Sequence, residues 1–307
     1  MSSTIFIDGA AGTTGLEIAE RLESREEFSL LILDEDTRKD DDARKEALNS
    51  ADFVILCLPD DAARAAVAMI DNSSVRVIDA SSAHRTTAGW VFGFPEVVGA
   101  RNVASARFVS NPGCYSTGFI ALLAPLISAG LLPADWPYVC HAVSGYSGGG
   151  KALIKRFADE PDIAFRSYGL SLDHKHVPEM QMHCGLKQTP LFTPAVVPAY
   201  RGMMVEIPLH LGAMNNAAAP DVLLASLQQA YLGSEIVTVH SGDTGELLIL
   251  RDTAPSDRID LHVFASADNR QARLVARLDN LGKGAGGAAV QNLNLMAGLP
   301  ETTGLRL

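Results

Sequence analysis

Cysteine, positive charge and long hydrophobic runs are all scarce in this sequence, and each scarcity excludes a class of protein. The four cysteines are far apart and form no CxxC pair, which argues against a disulfide-stapled secreted domain and predicts a reducing compartment, the cytoplasm. Lysine and arginine number 25 against 36 acidic residues, so the net charge is −11. We therefore expect neither nucleic acid nor an anionic membrane as a partner, although a local basic pocket can hold a small anion.

The longest apolar run, residues 119–132, is interrupted by Pro125 and is shorter than the roughly 20 residues of a membrane-spanning helix. Residues 1–3 lead directly into an apolar segment with no basic region before it, so we expect no targeting segment. Hydrophobic residues nevertheless make up 47% of the chain, which is enough for a large core. The length predicts about two domains.

The first hundred residues alternate between short apolar segments and helical patterns. Strands are expected at residues 4–8, 29–33, 53–58 and 75–78, and helices at 13–22, in the charged stretch 34–48 and at 62–70. Repeated strand–helix units predict a doubly wound parallel sheet.

After Cys114 the pattern changes to a long apolar helix, residues 115–129, a strand at 138–143 and a glycine-rich turn at 144–151. Further apolar runs separated by turn residues follow at 195–197, 203–209, 235–239, 247–250, 261–265 and 271–279. Strands that follow strands predict a second, mixed α+β domain. A glycine-rich turn at 282–287 and a helix at 288–296 end the pattern, and we expect this helix to return to the first domain.

Three glycines, Gly9, Gly12 and Gly15, stand between the first predicted strand and the first predicted helix. Glycine permits the tight turn, and the helix start offers free N–H groups to a pyrophosphate, so the loop predicts a dinucleotide site rather than a plain turn. The second strand should decide which dinucleotide binds. Asp34 favours a ribose hydroxyl and hence NAD, whereas Arg38 and Lys39 favour the 2′-phosphate of NADP. The residues alone leave both open.

Cys114 begins the long apolar helix and is the candidate nucleophile. A helix N-terminus stabilises a thiolate, and its free N–H groups can also hold an oxyanion. Cys57 and Cys140 lie in apolar strands and are expected to be buried filler, and Cys184 has no helix-start context.

One cluster of histidines, His174, His176 and His183, surrounds a predicted helix start near Pro178. A zinc site is one interpretation, but the segment has no HExxH motif and no obvious fourth ligand, so we expect no metal. In a catalytic interpretation one histidine exchanges a proton beside a cysteine, and Glu179 fixes its orientation. A third interpretation makes these histidines ordinary loop residues.

Three further segments place a cation beside a loop. Arg85 follows the fourth predicted strand, Lys151 ends the glycine-rich turn 144–151, and Arg201 follows Tyr200. Singly, each is more often a solvated charge. Together they suit a substrate that carries phosphate and carboxylate groups.

Four segments, taken in order, resemble the short form of the N-acetyl-gamma-glutamyl-phosphate reductase family, essentially from end to end. They are the glycine loop 9–15, NPGCY at 111–115 followed by Thr117 and Gly118, SGYSG at 144–148, and HKHVPE at 174–179. The cysteine and histidine motifs are specific when taken together, whereas the wider semialdehyde dehydrogenase group shares the glycine loop.

The resemblance implies an α/β fold in two parts. Residues 1–114 would form a Rossmann dinucleotide-binding domain, a doubly wound parallel sheet to which residues 283–307 return. Residues 115–282 would form an α+β catalytic and oligomerisation domain like that of glyceraldehyde-phosphate and aspartate-semialdehyde dehydrogenases. A homo-oligomer, a dimer or tetramer, is expected.

The implied reaction is NADPH-dependent reduction of N-acetyl-L-glutamyl 5-phosphate to the 5-semialdehyde in arginine biosynthesis, through a thioester on Cys114. His176 would be the acid/base, with His174 as the fallback and Glu179 as its orienter. The cofactor-binding residues would be Gly9, Ala11, Gly12, Thr13, Thr14, Gly15, Arg38, Lys39, Ser82 and Gly284. The substrate-binding residues would be Arg85, Asn111, Ser144, Ser147, Lys151 and Arg201.

Two other functions compete with this one. An aspartate-semialdehyde dehydrogenase would use the same chemistry, but that family usually has asparagine directly before the cysteine, where this chain has Gly113. A protein that senses NADP without turnover would need no nucleophile, so replacing Cys114 would leave its function intact.

Overall fold

The computed structural model describes residues 2–34, 36–242 and 244–307, and the chain divides into two units. The first unit comprises Met1–Gly113 and Ala285–Leu305. The second comprises Cys114–Gly284 and Arg306–Leu307.

The sheet of the first unit is wholly parallel, as the alternating sequence pattern predicts. Its strands lie in the order β2-β1-β3-β4-β6-β5. They are β1 (Ser3–Asp8), β2 (Phe28–Leu31), β3 (Phe53–Leu56), β4 (Arg76–Asp79), β5 (Val91–Phe92) and β6 (Phe108–Ser110). All four residues of β3 are buried, which explains its continuous apolar run. The sequence pattern missed β5 and β6 because they are only two and three residues long.

Helices connect these strands: α1 (Thr13–Leu22), α2 (Asp41–Ser50), α3 (Asp60–Ala68), α4 (Pro95–Val98) and α5 (Ala100–Ser105). The charged stretch was expected to end in a helix through Leu48, and α2 runs from Asp41 to Ser50. The Asp40 side chain accepts the Ala43 backbone N–H at 2.8 Å and so caps the helix. Before it, residues 36–39 form a turn, and the Asp34 side chain accepts hydrogen bonds from Thr37.

The second unit holds a mixed, seven-stranded sheet in the order β11-β12-β13-β10-β7-β9-β8. The strands are β7 (Val139–Gly145), β8 (Arg166–Ser167), β9 (Leu191–Val197), β10 (Met203–Leu209), β11 (Val237–Val239), β12 (Ile259–Ala265) and β13 (Ala272–Leu278). The expected strand at residues 247–250 is wrong. Both edges of β12 are already paired, with β11 and β13, and Leu248 and Leu250 are more than half exposed.

The helices of this unit are α6 (Cys114–Ser128), α7 (Gly150–Asp159), α8 (Val177–His183) and α9 (Pro220–Ala230). Nearly all of α6 is buried against β10 and β13. A Cβ on Gly118 would lie 2.7 Å from Val205 Cγ2, so this glycine lets α6 approach the sheet closely. The glycine-rich segment expected to be only a turn forms a short 3-10 turn, Tyr146–Gly149, and then continues into α7.

The last helix, α10 (Gly287–Met296), belongs to the first unit. Its Val290 and Leu293 share a hydrophobic core with Ile5, Ile18 and Ile55. In the part of the chain that the structure describes, every helix is too short or too polar to cross a membrane.

Candidate active site

The glycine loop after β1 has a backbone that only glycine fits at two of its three positions. Gly9 has φ +89°, and a Cβ there would lie 2.4 Å from the Cys57 carbonyl oxygen beyond the end of β3. A Cβ on Gly15 would lie 2.5 Å from the Gly9 carbonyl oxygen. Gly12 donates its N–H to that same oxygen at 2.9 Å and stands just before α1. The loop is therefore drawn tightly against β3, at the point where the strand order reverses.

A cavity of about 360 Å³ opens at this loop. Gly9, Ala10 and Ala11 line one part of it, and Arg38 and Lys39 line another. The hydroxyl oxygen of Thr13, at the start of α1, is buried without a hydrogen-bond partner among the described residues. A hydroxyl in that position can donate to a phosphate held by the helix N-terminus. These residues fit a dinucleotide.

Asp34 has a local partner. Its carboxylate accepts from the Thr37 hydroxyl at 2.6 Å and from the Thr37 N–H at 2.9 Å, and these hydrogen bonds lower the pKa of Asp34. The Asp34 carbonyl also accepts the Arg38 N–H. Asp34 thus builds the turn that presents Arg38 and Lys39, and it does not line the cavity.

Three other candidates in the first unit form internal contacts. Ser82 donates its hydroxyl to Asp60 at 2.7 Å. The buried Arg85 donates from Nε to the Asn111 carbonyl oxygen at 2.9 Å. The Asn111 side chain, 1% exposed, donates to the Ala285 carbonyl at 3.0 Å and accepts from Asn292 at 3.1 Å. The contacts of Arg85 and Asn111 hold the backbone that precedes Cys114.

Cys114 is the first residue of α6 and is partly exposed. Cys140 and Cys184 are buried, and burial raises the pKa of both thiols. Burial, with the nearby Asp79 and Asp8, raises the pKa of Cys57 to about 12. Of the four cysteines, Cys114 alone combines partial exposure with a helix start, which is the environment of a reactive thiol.

The two motif histidines lie immediately before α8 and pack against Tyr115, the residue next to the candidate nucleophile. The Tyr115 ring lies 5.8 Å from the His176 ring and 6.2 Å from the His174 ring, measured between centroids. The His176 backbone N–H donates to His174 Nδ1 at 3.2 Å, so a neutral His174 carries its proton on Nε2. His176 is buried and occupies the N-cap position of α8, whose first turn contains the buried Glu179.

Gly284 was expected to bind cofactor, and it packs against Cys114, the candidate nucleophile. A Cβ on Gly284 would lie 2.9 Å from Cys114 Cβ and 3.0 Å from the Asp279 carbonyl oxygen. Of the remaining candidates, Ser144 donates to the Gly145 carbonyl at 3.0 Å, and Lys151 is exposed in the first turn of α7.

The sequence pattern missed Asp279 and Asn280, which directly follow β13. Asp279 binds Arg201 at 2.9 Å, and the Asn280 amide donates to the Ser147 hydroxyl at 2.8 Å. Both partners are sequence-predicted site residues. The sequence did offer one signal for these two residues, since they form a polar pair between an apolar strand and a glycine-rich segment. Among the described residues, no three histidine, cysteine, aspartate or glutamate side chains are grouped to hold a metal.

Residues 4–105 match the family model described as the NAD binding domain of semialdehyde dehydrogenases, and residues 114–280 match the model of their dimerisation domain. Two solved structures share the fold. Aspartate semialdehyde dehydrogenase II from Vibrio cholerae is 18% identical, with a TM-score of 0.69 over 96% of this chain and 98% of that one. The enzyme from Francisella tularensis is 13% identical, with a TM-score of 0.72 over 96% and 100%.

Curated relatives are much closer in sequence. N-acetyl-gamma-glutamyl-phosphate reductase of Trichormus variabilis is 50% identical over 98% of both chains. N-acetyl-gamma-glutamyl-phosphate reductase 2 of Pseudomonas putida is also 50% identical over 98% of both chains. At this identity and coverage, the chain belongs to the N-acetyl-gamma-glutamyl-phosphate reductase family of semialdehyde dehydrogenases.

Proposed function

We propose that this protein reduces N-acetyl-L-glutamyl 5-phosphate to N-acetyl-L-glutamate 5-semialdehyde with NADPH, releasing phosphate, as a step of arginine biosynthesis. One observation carries the proposal. A partly exposed cysteine begins a buried helix, and the next residue, Tyr115, packs against two histidines, in a chain that is 50% identical to a reductase of that name. The reaction needs a nucleophile that forms a thioester and a site for a reduced nicotinamide.

Cys114 would act first. His176 takes the thiol proton, and the thiolate, favoured by the N-terminus of α6, attacks the acyl carbon of the substrate. A carbon–sulfur bond forms, the bond from that carbon to the phosphate oxygen breaks, and phosphate leaves with the proton. Backbone N–H groups of the first turn of α6 would hold the carbonyl oxygen while it is negatively charged.

When bound, the reduced nicotinamide would supply a hydride to the thioester carbon. The resulting anion expels the Cys114 thiolate and releases the aldehyde. We place His176 ahead of His174 as the acid/base because it is buried and stands one turn before Glu179 on α8. The Glu179 carboxylate would orient its imidazole.

We propose NADP rather than NAD as the cofactor. Arg38 and Lys39 line the cavity beside the glycine loop, and cations there suit a 2′-phosphate. Asp34, which favoured NAD in the sequence, is occupied by Thr37. The wall of the cavity thus favours the phosphorylated ribose.

The proposal is tested in the direction of phosphate-dependent NADP⁺ reduction, because acyl phosphates hydrolyse readily. N-acetyl-glutamate 5-semialdehyde and aspartate semialdehyde are compared, with absorbance of the reduced cofactor as the measurement. Turnover of the N-acetyl substrate, lost in Cys114→Ala, supports the proposal. Turnover of aspartate semialdehyde instead would overturn the substrate, and NADP⁺ binding without any turnover would favour a sensor.

We also propose a homo-oligomer located in the cytoplasm. The second unit matches a dimerisation domain, and one face of its sheet presents the partly exposed Phe264 and Met204. All four cysteines are free, as a reducing compartment would keep them. Light scattering behind a sizing column measures the mass, and a particle of one chain's 32.6 kDa would contradict the oligomer.

A further inference from the structure

Asp279 directly follows β13, and its side chain gathers three donors from separate parts of the second unit. The carboxylate accepts from Arg201 Nη1 at 2.9 Å, from the Ser256 N–H at 3.3 Å and from the Leu281 N–H at 2.9 Å. Asp279 is 3% exposed and Arg201 is 9% exposed, so this ion pair is buried. Breaking one side of such a pair leaves an uncompensated buried charge, which makes the geometry of Arg201 dependent on Asp279.

Asn280 holds two neighbouring segments in the same way. Its side-chain oxygen accepts the Gly202 N–H at 3.0 Å, and its amide nitrogen donates to the Ser147 hydroxyl oxygen at 2.8 Å. Gly202 follows Arg201, and Ser147 belongs to the SGYSG segment. Two adjacent side chains therefore fix both loops.

This pair also lies next to the nucleophile. The Asp279 carbonyl accepts the Gly284 N–H at 3.0 Å, and Gly284 packs directly on Cys114. Asp279 thus holds Arg201 with its side chain, and with its backbone it supports Gly284, on which Cys114 packs. If the acyl carbon of a substrate reached Cys114, the rest of the substrate would lie near the loops that contain Ser147 and Gly202.

The charge balance favours one substrate group over another. A guanidinium has five N–H donors in a planar fork that matches a carboxylate. Since the Asp279 charge balances that of Arg201, a further anion would be selected by the direction of the N–H groups rather than by net charge. A planar carboxylate suits such a site better than a phosphate dianion, which the exposed ammonium of Lys151 can attract as a point charge.

We propose that Asp279 is a positioning residue that orients Arg201 to bind the substrate's carboxylate, with Asn280 holding Gly202 and Ser147 beside it. This inference rests on the proposed function, because the proposed substrate supplies the carboxylate. Asp279 itself touches no reacting atom. Its effect on catalysis passes through Arg201.

Asp279→Asn tests the proposal. The two carboxylate oxygens of Asp279 accept three donors, whereas an asparagine amide has only one acceptor oxygen. Its NH₂ group must face either Leu281 or Arg201 and Ser256. In phosphate-dependent NADP⁺ reduction, we expect the KM for N-acetyl-glutamate semialdehyde to rise by about tenfold. The kcat and the KM values for phosphate and NADP⁺ should change by less than about threefold. Glu17→Gln is the matched control, since Glu17 forms a comparably buried ion pair with Arg21 in α1.

A double-mutant cycle with Arg201→Lys separates positioning from support of the fold. Arg201→Lys alone should raise the same KM, and adding Asp279→Asn should raise it by less than about twofold more, because Asp279 acts through Arg201. Additive effects, or equal increases in all three KM values, would overturn the proposal. An increase confined to phosphate would do so as well.

Thermal unfolding shows whether each variant is folded. Where Asp279→Asn does not fold, Arg201→Lys decides alone: an increase confined to the semialdehyde KM supports the proposal, and an unchanged value overturns it. A wild-type protein that does not turn over the N-acetyl semialdehyde overturns the proposed function and this inference with it. Active wild type with unchanged variants overturns only the inference.

Discussion

Gly284 packs so closely on Cys114 that a side chain at position 284 would displace this cysteine. A Cβ there would lie 2.9 Å from Cys114 Cβ and 3.4 Å from its Cα. Gly284 belongs to the same unit as Cys114 but lies outside α6. A residue from another part of that unit therefore fixes the position of the candidate nucleophile. The contact gives a direct way to move the sulfur without changing its chemistry.

Gly284→Ala should lower kcat by roughly 100-fold, because small displacements of a reacting group are costly. The KM for NADP⁺ should stay within about threefold of the wild-type value, since the glycine loop lies elsewhere in the chain. Steady-state kinetics of phosphate-dependent NADP⁺ reduction measure both. The control is Gly245→Ala, where an added Cβ meets no atom of the described residues within 4 Å. Equal activity of the two variants would show that the contact with Cys114 has no catalytic consequence.

Arg38→Ala and Lys39→Ala should each raise the KM for NADP⁺ on the order of 10-fold, because each removes a charge-assisted hydrogen bond to a 2′-phosphate. The KM for NAD⁺ should not change. Lys45→Ala serves as the control, because Lys45 is an exposed residue of α2 that pairs with Asp71 at 2.8 Å. An equal increase in the KM for NADP⁺ and for NAD⁺ would contradict the assignment of these side chains to the 2′-phosphate.

Gly9→Ala should destabilise the protein by roughly 3 kcal/mol, through strain at positive φ and the clash with Cys57. Gly89→Ala isolates the first cause, since Gly89 has φ +86° but no atom from the described part of the chain within 4 Å of its Cβ position. Denaturant unfolding of both variants gives the difference. NADP⁺ binding should weaken only in Gly9→Ala. If Gly89→Ala is destabilised as much as Gly9→Ala, the clash with Cys57 contributes nothing to the loss of stability.

The parts of the fold that could be predicted are those where burial leaves a local pattern. Strand β3 is buried along its whole length and therefore reads as a continuous apolar run, and the loop at Gly9 requires glycine for steric reasons visible in the spacing. The segment 247–250 has the same apolar composition, but it belongs to neither sheet, and Leu248 and Leu250 are more than half exposed. Composition alone does not reveal that difference.

The candidate site shows the same division. Cys114 and the histidines stand in short motifs, so their residue types and spacing point to their chemistry. Asp279 was missed because its partner Arg201 lies 78 positions away, and only folding brings the two together. Gly284 stands in a glycine-rich segment, and such a segment does not reveal in the sequence that this glycine packs against Cys114.

His262 should make the protein less stable in mild acid. Its ring stacks on His240 at 4.7 Å, and its Nε2 is buried without a hydrogen-bond partner among the described residues. Burial lowers the pKa of His262, His240 and Arg277 lower it further, and Asp260 opposes them. The unfolded chain then binds a proton more tightly than the folded one, so stability present above the unfolded pKa, about 6.5, is lost as pH falls through it.

Replacing His262 with phenylalanine, which keeps a flat ring in the stack, should therefore remove part of this loss. Denaturant unfolding at pH 7.5 and pH 5 compares His262→Phe with the wild-type protein and with His141→Phe, whose side chain is nearly half exposed. We expect the free energy of unfolding to decrease least between pH 7.5 and pH 5 in His262→Phe, because phenylalanine has no group whose protonation favours the unfolded chain. An undiminished decrease in that variant would show that His262 is protonated at the same pH in the folded and unfolded chains, contrary to its enclosed position.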